Sequence, residues 1–231
     1  MTNNTVPKAS KKNLVYHYCS LDAFHSIISN KCLWLSDATK TNDAMELKSV
    51  YKDFFKIFKQ VYINMVDMYH PDKRDKMLDY LPQIQLTIER FNNSEENFIL
   101  NSTKYFVCSF SQEGDLLSQW RAYADNGHGV SIGFNRKLLD KFKHFDNYDF
   151  VDVKYKRKEQ NDIIKTELEA ALSDVLKANN IVDLDDYGPG SIERLDSYQS
   201  KIYRKIQHIF DMGYRFKHLS FKEEKEHRLV L

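Results

Sequence analysis

Phe221-Lys-Glu-Glu-Lys-Glu-His-Arg-Leu-Val-Leu231 closes the sequence. It reads as a strand over His227 to Leu231 that could start as early as Lys222. Strand side chains alternate between two faces, so Glu224, Glu226 and Arg228 are expected to project together. Two carboxylates two residues apart on one face repel, and they need a cation, a shared proton or a substrate hydroxyl opposite them. Such a pair can also raise the pKa of one member, which suits a general base. The same spacing fits a solvated edge strand with an internal Glu–Arg pair.

Working back from that strand, Lys104-Tyr-Phe-Val-Cys-Ser-Phe110 is the clearest buried strand, and Leu14 to Cys19 alternates in the same way. Further strands are expected at Cys32 to Ser36, Gly129 to Phe134 and Tyr148 to Tyr155. Ser20 is placed to cap a helix over Leu21 to Ser29 whose apolar face is Leu21, Phe24, Ile27 and Ile28. A long helix from Ala44 to Tyr69 carries the stripe Val50, Phe54, Ile57, Phe58, Val61, Tyr62, Met65 and Met68. His70-Pro71 breaks it, and a second helical stretch runs from Asp72 to Asn97 with a break near Pro82. Short helices are expected at Asp115 to Tyr123 and Asn135 to Lys143, and longer ones at Glu159 to Ala178 and Ile192 to Tyr214. Strands interleaved with helices in this order point to an α+β fold, with a central mixed or antiparallel sheet of short strands and two helical blocks. The expected organisation is a disordered tail over 1–12 and a single domain over 13–231, with a helical insertion at about 44–97 and a second helical block at about 159–214.

The net charge of +1 gives no footprint for bulk nucleic-acid binding. No apolar run approaches the length of a membrane span, and the polar start does not read as a signal peptide. A cytoplasmic protein without a membrane partner is the expectation. Three cysteines without CxxC spacing do not build a disulfide scaffold or a zinc site. His17, His25 and His128 also lack ligand spacing, so no metal set is expected from them. There is no GxGxxG and no Walker motif.

Several residues could carry chemistry. His17 alternates with Tyr16 and Tyr18 along the first strand. Asn42 and Asp43 sit in a polar loop and could cap the long helix or meet a ligand. Ser109 and Ser111 place two hydroxyls on one face at a strand end, and Trp120 and Tyr123 share a helix face that could wall a pocket or pack in a core. Gly127 and Gly129 serve the turn into the next strand.

Six blocks in order resemble a bacterial and phage family of unknown function. They are Tyr16-His17-Tyr18, Leu35-Ser36 with Asn42-Asp43 and Glu46, Phe106 to Ser111, Trp120-x-x-Tyr123-Ala124, Gly129 to Phe134, and Phe221-x-x-Glu224-x-Glu226-x-Arg228. A strand His, a helix, a short strand near Ser-Asp and a late strand Glu are more distantly similar to ADP-ribosyltransferases of the His-Tyr-Glu type, including the toxin branch that modifies nucleic acid. Trp34 and Ser36 occupy the strand where that type carries its tyrosine. The resemblance implies NAD as cofactor, held by His17 with Tyr18, Ser36, Ser109, Ser111, Trp120, Arg121 and Arg228, and it makes Glu224 or Glu226 catalytic.

The leading expectation is therefore an NAD-dependent ADP-ribosyltransferase-like enzyme or NAD glycohydrolase, a defence or toxin effector. It would bind a nucleotide or NAD-like molecule and use a protein or nucleic-acid acceptor. One alternative is a non-catalytic ligand-sensing or protein-binding module in which Arg121 and Arg228 grip an anion. Another is a nuclease or hydrolase using Asp43, Glu46, Glu224 and Glu226 around Mg²⁺.

Overall fold

The computed structural model describes residues 13–38, 51–93, 105–144, 147–177, 201–209 and 212–231. In chain order its elements are β1 (Leu14–Cys19), α1 (Leu21–Asn30), β2 (Ser36–Asp37), α2 (Tyr51–Tyr69), α3 (Arg74–Leu78), α4 (Leu81–Asn93) and β3 (Phe106–Ser111). They continue with α5 (Leu117–Tyr123), β4 (Val130–Asn135), α6 (Arg136–Leu139), β5 (Asp149–Asp152), α7 (Arg157–Lys177) and β6 (Glu226–Val230), and residues 201–209 are also helical. The fold is α+β, and every described strand pair is antiparallel. The chain divides into two compact units, residues 1–43, 105–155 and 217–231 in one, 44–104 and 156–216 in the other. Among the described residues no helix is long and apolar enough to cross a membrane.

The first unit holds the six-stranded sheet, in the order β4-β1-β3-β6-β5 with β2 also on β3. β6 runs along one edge of β3 from Val107↔Val230 to Ser111↔Glu226. The other edge of β3 is shared. β2 takes Phe106 and Val107, and β1 takes Ser111. The strand expected over Cys32 to Ser36 is accordingly reduced to Ser36–Asp37, because further along that edge β1 already occupies Ser111. Ser20 caps α1 as expected, its Oγ accepting from Ala23 N at 3.2 Å.

Two glycines make the corner between α5 and β4. Gly127 has a φ of 94° and ends the 3₁₀ turn Asp125–Gly127. Gly129 donates its N–H to the Ala124 carbonyl at 2.8 Å. A Cβ on Gly129 would stand 2.2 Å from the Cys19 carbonyl oxygen, so only glycine lets these two segments touch.

The second unit has its own core. α2 contributes Phe54, Phe58, Val61, Tyr62 and Val66, and α7 contributes Ile164, Leu168 and Leu172. Ile202, Ile206 and Ile209 complete it at the same three-to-four spacing. Each such side chain, fully buried, contributes about 1.5–3 kcal/mol. Met68, expected in the α2 stripe, is 70 % exposed, and Val66 is buried in its place. Val50 and the expected first turns of this helix lie outside the described residues. The break near Pro82 falls at Asp79-Tyr80, which puts Pro82 in the first turn of α4. There its missing N–H leaves no hydrogen bond unmade.

Gly129→Ala is expected to lower stability by about 1–3 kcal/mol through overpacking against the Cys19 backbone. A urea titration measures this, and an unchanged midpoint would contradict the close approach.

Candidate functional site

β1 and β3 meet in register at Tyr16↔Ser111. One step further the ladder would set Ser109 opposite Tyr18, but there the Ser109 carbonyl accepts from His17 Nδ1 at 3.0 Å. The strands splay, and the fork opens into a pocket of about 60 Å³ lined by His17, Tyr18, Ser109, Phe110, Gln119, Tyr123, Glu224 and Glu226. A carbonyl oxygen only accepts, so Nδ1 carries the proton and Nε2 keeps its lone pair. Burial lowers the His17 pKa and outweighs the Ser109 carbonyl, which favours the charged ring. His17 is therefore a neutral acceptor at neutral pH. Cys108 Sγ lies 3.7 Å from the same Nδ1. Burial pushes its thiol up to about 12, which makes it a packing group and not a nucleophile.

Glu224 and Glu226 reach the pocket by different routes. Glu226 opens β6 and shares its face with Arg228, opposite Ser111 and Ser109. Glu224 ends the preceding 3₁₀ turn, Leu219–Glu224, and Lys225 between them takes a left-handed φ of 45°. The single strand face expected for all three residues thus holds for Glu226 and Arg228 only. Ser111 holds the turn instead, its Oγ donating to the Glu224 carbonyl at 2.7 Å.

Lys217 joins the two carboxylates. Its Nζ donates to Glu224 Oε2 at 2.6 Å and to Glu226 Oε2 at 3.1 Å, and it is 2 % exposed. Arg228 forks onto Glu226, with Nε at 2.8 Å from Oε1 and Nη2 at 3.1 Å from Oε2. Burial pushes the Glu226 pKa up, but Arg228, Lys217 and the Ser109 hydroxyl outweigh it and hold the carboxyl below its ordinary value. Two carboxylates face two cations, and Glu226 has both oxygens engaged. The Glu226 N–H donates to the Tyr155 hydroxyl at 2.8 Å, and burial pushes that phenol up to about 12.

The remaining expected site residues are placed as follows. The Tyr18 hydroxyl donates to the Glu113 carbonyl at 2.6 Å and accepts from Leu116 N at 3.0 Å, so its ring is a wall. Trp120 stands edge-on to that ring at 5.2 Å and donates its Nε1–H to Asp115 Oδ1 at 2.8 Å. Trp120, Arg121, Ser36, Ser111 and Arg228 do not line the pocket. Ser36 pairs with Val107 in the sheet, and Arg121 is exposed on α5. Asp43 and Glu46 lie outside the described residues. Among the described residues no group of three or more His, Cys, Asp or Glu is arranged to hold a metal.

Lys217, Tyr155 and Gln119 escaped the reading of the sequence. The need of paired carboxylates for a cation was legible, but which of the chain's lysines supplies it was not.

The geometry defines a small polar pocket backed by a buried ion-pair network, in a class of fold that does not by itself fix an activity. Residues 119–229 match the model of a family described as a protein of unknown function (DUF2971), in keeping with the resemblance, and take in the last three of its six blocks. The matched stretch takes in Gln119, Tyr123, Lys217, Glu224 and Glu226, while His17 and Ser109 precede it. No curated protein and no solved structure matches the chain.

Lys217→Met is expected to cost about 3–5 kcal/mol, because it leaves Glu226 and Glu224 crowded with one cation fewer. Glu224→Gln, at the more exposed end, is expected to cost less. Urea midpoints of the two variants measure the difference, and equal midpoints would contradict the network.

Burial also lowers the pKa of His227, on the opposite face of β6. With His17 and His227 both lowered, the unfolded chain takes up protons below about pH 6.5 before the folded one does. Stability is thus present above that pH and lost as pH falls toward the folded values. A lower urea midpoint at about pH 5.5 than at about pH 7.5, with a smaller difference in His17→Asn, is the expected result.

Proposed function

We propose that the fork between β1 and β3 recognises the ribose of NAD or an NAD-like nucleotide, and that the chain acts there as an ADP-ribosyltransferase-like enzyme or NAD glycohydrolase. One observation carries the reading: the neutral His17, with Nε2 as acceptor, shares a single pocket with the Glu224 carboxylate. A lining rich in acceptors suits ligand hydroxyls, which donate. The pocket of about 60 Å³ takes the hydroxyl-bearing edge of a sugar, and the rest of a dinucleotide would extend past Tyr123, which is 43 % exposed.

Under this reading Glu224 is the carboxylate that meets the ligand. Glu226 is spent on Arg228 and Lys217 and acts by holding Lys217 against Glu224. Loss of nicotinamide leaves positive charge on the ribose, and a fixed carboxylate beside it lowers the cost of that charge. His17 orients the hydroxyls without competing for a proton.

A ligand-sensing module is the second reading, and the closure of the ion pairs around Glu226 favours it. A network with both oxygens engaged is suited to binding without reaction.

The melting temperature with NAD, with ADP-ribose and Mg²⁺ as controls, separates these readings. A rise of about 5–10 °C is expected at a hundredfold excess over the dissociation constant, and His17→Ala should remove it. Nicotinamide release should fall about a hundredfold or more in Glu224→Gln, which keeps the NAD shift. A shift without nicotinamide release supports the sensing module. Absence of a shift with NAD overturns the nucleotide site.

A further inference from the structure

Helix α1 carries an apolar face that it does not bury. None of its residues is buried, and Ile28 is 57 % exposed. Ile27 and Ile28 instead wall a second pocket, of about 540 Å³, with Ile132 and Phe134 of β4 and Leu229 of β6 across it. It is within the roughly 300–1,000 Å³ of small-molecule sites. It shares no lining residue with the pocket at Glu224.

Its chemistry is one-sided. The lining is aliphatic and aromatic, and apart from the Tyr148 hydroxyl its side-chain polar atoms come from Lys31 and Cys32. Among the described residues Lys31 is the only charged one in the lining. Leu138 and Phe142 also line the pocket. An apolar interior with one lysine in its lining selects a ligand with a hydrocarbon body and one negative end.

We propose that this pocket binds a single-chain alkyl carboxylate, its chain against Ile27, Phe134 and Leu229 and its carboxylate on Lys31. Hydrophobic burial supplies the attraction, and the charge sets which end stays outside. A cationic amphiphile of the same length meets like charge at the margin and is rejected.

Cys32 provides a reporter in the unaltered protein. It is exposed and lines the pocket, whereas Cys19 and Cys108 are buried. The rate at which a thiol reagent modifies Cys32 is measured with decanoate, decanol and decyltrimethylammonium, each below its micelle-forming concentration. Decanoate is expected to slow the reaction at least about fivefold, decanol less, and the ammonium not at all. In Lys31→Glu, with unchanged circular dichroism, decanoate should lose its advantage over the ammonium. No slowing by decanoate in the unaltered protein, or equal slowing by the ammonium, overturns the proposal. Neither readout involves NAD or catalysis, so the result is independent of the reading of the Glu224 pocket.

Discussion

The buried contact of Lys217 with Glu224 and Glu226 is the constraint on which the site depends. An isolated carboxylate at the depth of Glu226 would be too costly to keep charged, and protonation would be its cheapest escape. Arg228 and Lys217 remove that option by supplying two cations within hydrogen-bonding distance. The lysine then fixes a second carboxylate that is not on the strand. A turn of backbone, Leu219–Glu224, is thereby tied to β6 by charge as well as by chain connection. The polar surface presented to the pocket is an outcome of this neutralisation.

The second constraint is the sharing of one edge of β3 by two strands. β2 and β1 both lie on it, at opposite ends, and between them the ladder is interrupted. A carbonyl released from a ladder is open to another donor. Ser109 finds it in the His17 ring, which explains both the ring's tautomer and the space beside it. The fork is thus a consequence of topology, and His17 is the residue that makes the interrupted backbone acceptable.

Much of this was legible in the sequence where the cause was local. Ser20 capping, the alternation of Leu14 to Cys19 and the buried run ending at Phe110 follow from short-range chemistry. The pairing of Glu226 with Arg228 follows from alternation along one strand. Glu224 was misread because a single left-handed residue, Lys225, breaks the alternation, and nothing about a lysine announces that conformation. Lys217 and Tyr155 were beyond reach for a different reason. Tyr155 approaches Glu226 from a distant segment, so its role exists only once the sheet has closed, and Lys217, nine residues upstream, is brought back to Glu226 by the turn Leu219–Glu224, which the sequence does not announce. Ile28 failed in the opposite sense: its helical periodicity was correct, but periodicity cannot say what covers an apolar face.

Strand β6 serves both faces of the sheet, and this makes its register unusually consequential. Glu226 and Arg228 point toward the ion pairs, while His227 and Leu229 point the other way, Leu229 into the apolar pocket. His227 Nε2 faces Gln112 Nε2 at 2.9 Å and Arg136 Nη1 at 3.2 Å, so it is the accepting nitrogen. Its Nδ1 lies 2.6 Å from Asp152 Oδ1, close in distance but out of line for a well-formed hydrogen bond. A slip of one residue would exchange the two sets, setting Glu226 and Arg228 against Phe110 and Phe150 and pushing Leu229 among buried charges. Such a slip is opposed at both ends of the strand. Phe106 and Leu231 exchange backbone bonds at 3.0 and 2.9 Å, and Gln112 N donates to the Lys225 carbonyl at 3.1 Å. The left-handed Lys225 lets the chain leave the strand just where the alternation must stop, so that Glu224 can join the same cation as Glu226 without occupying the same strand face.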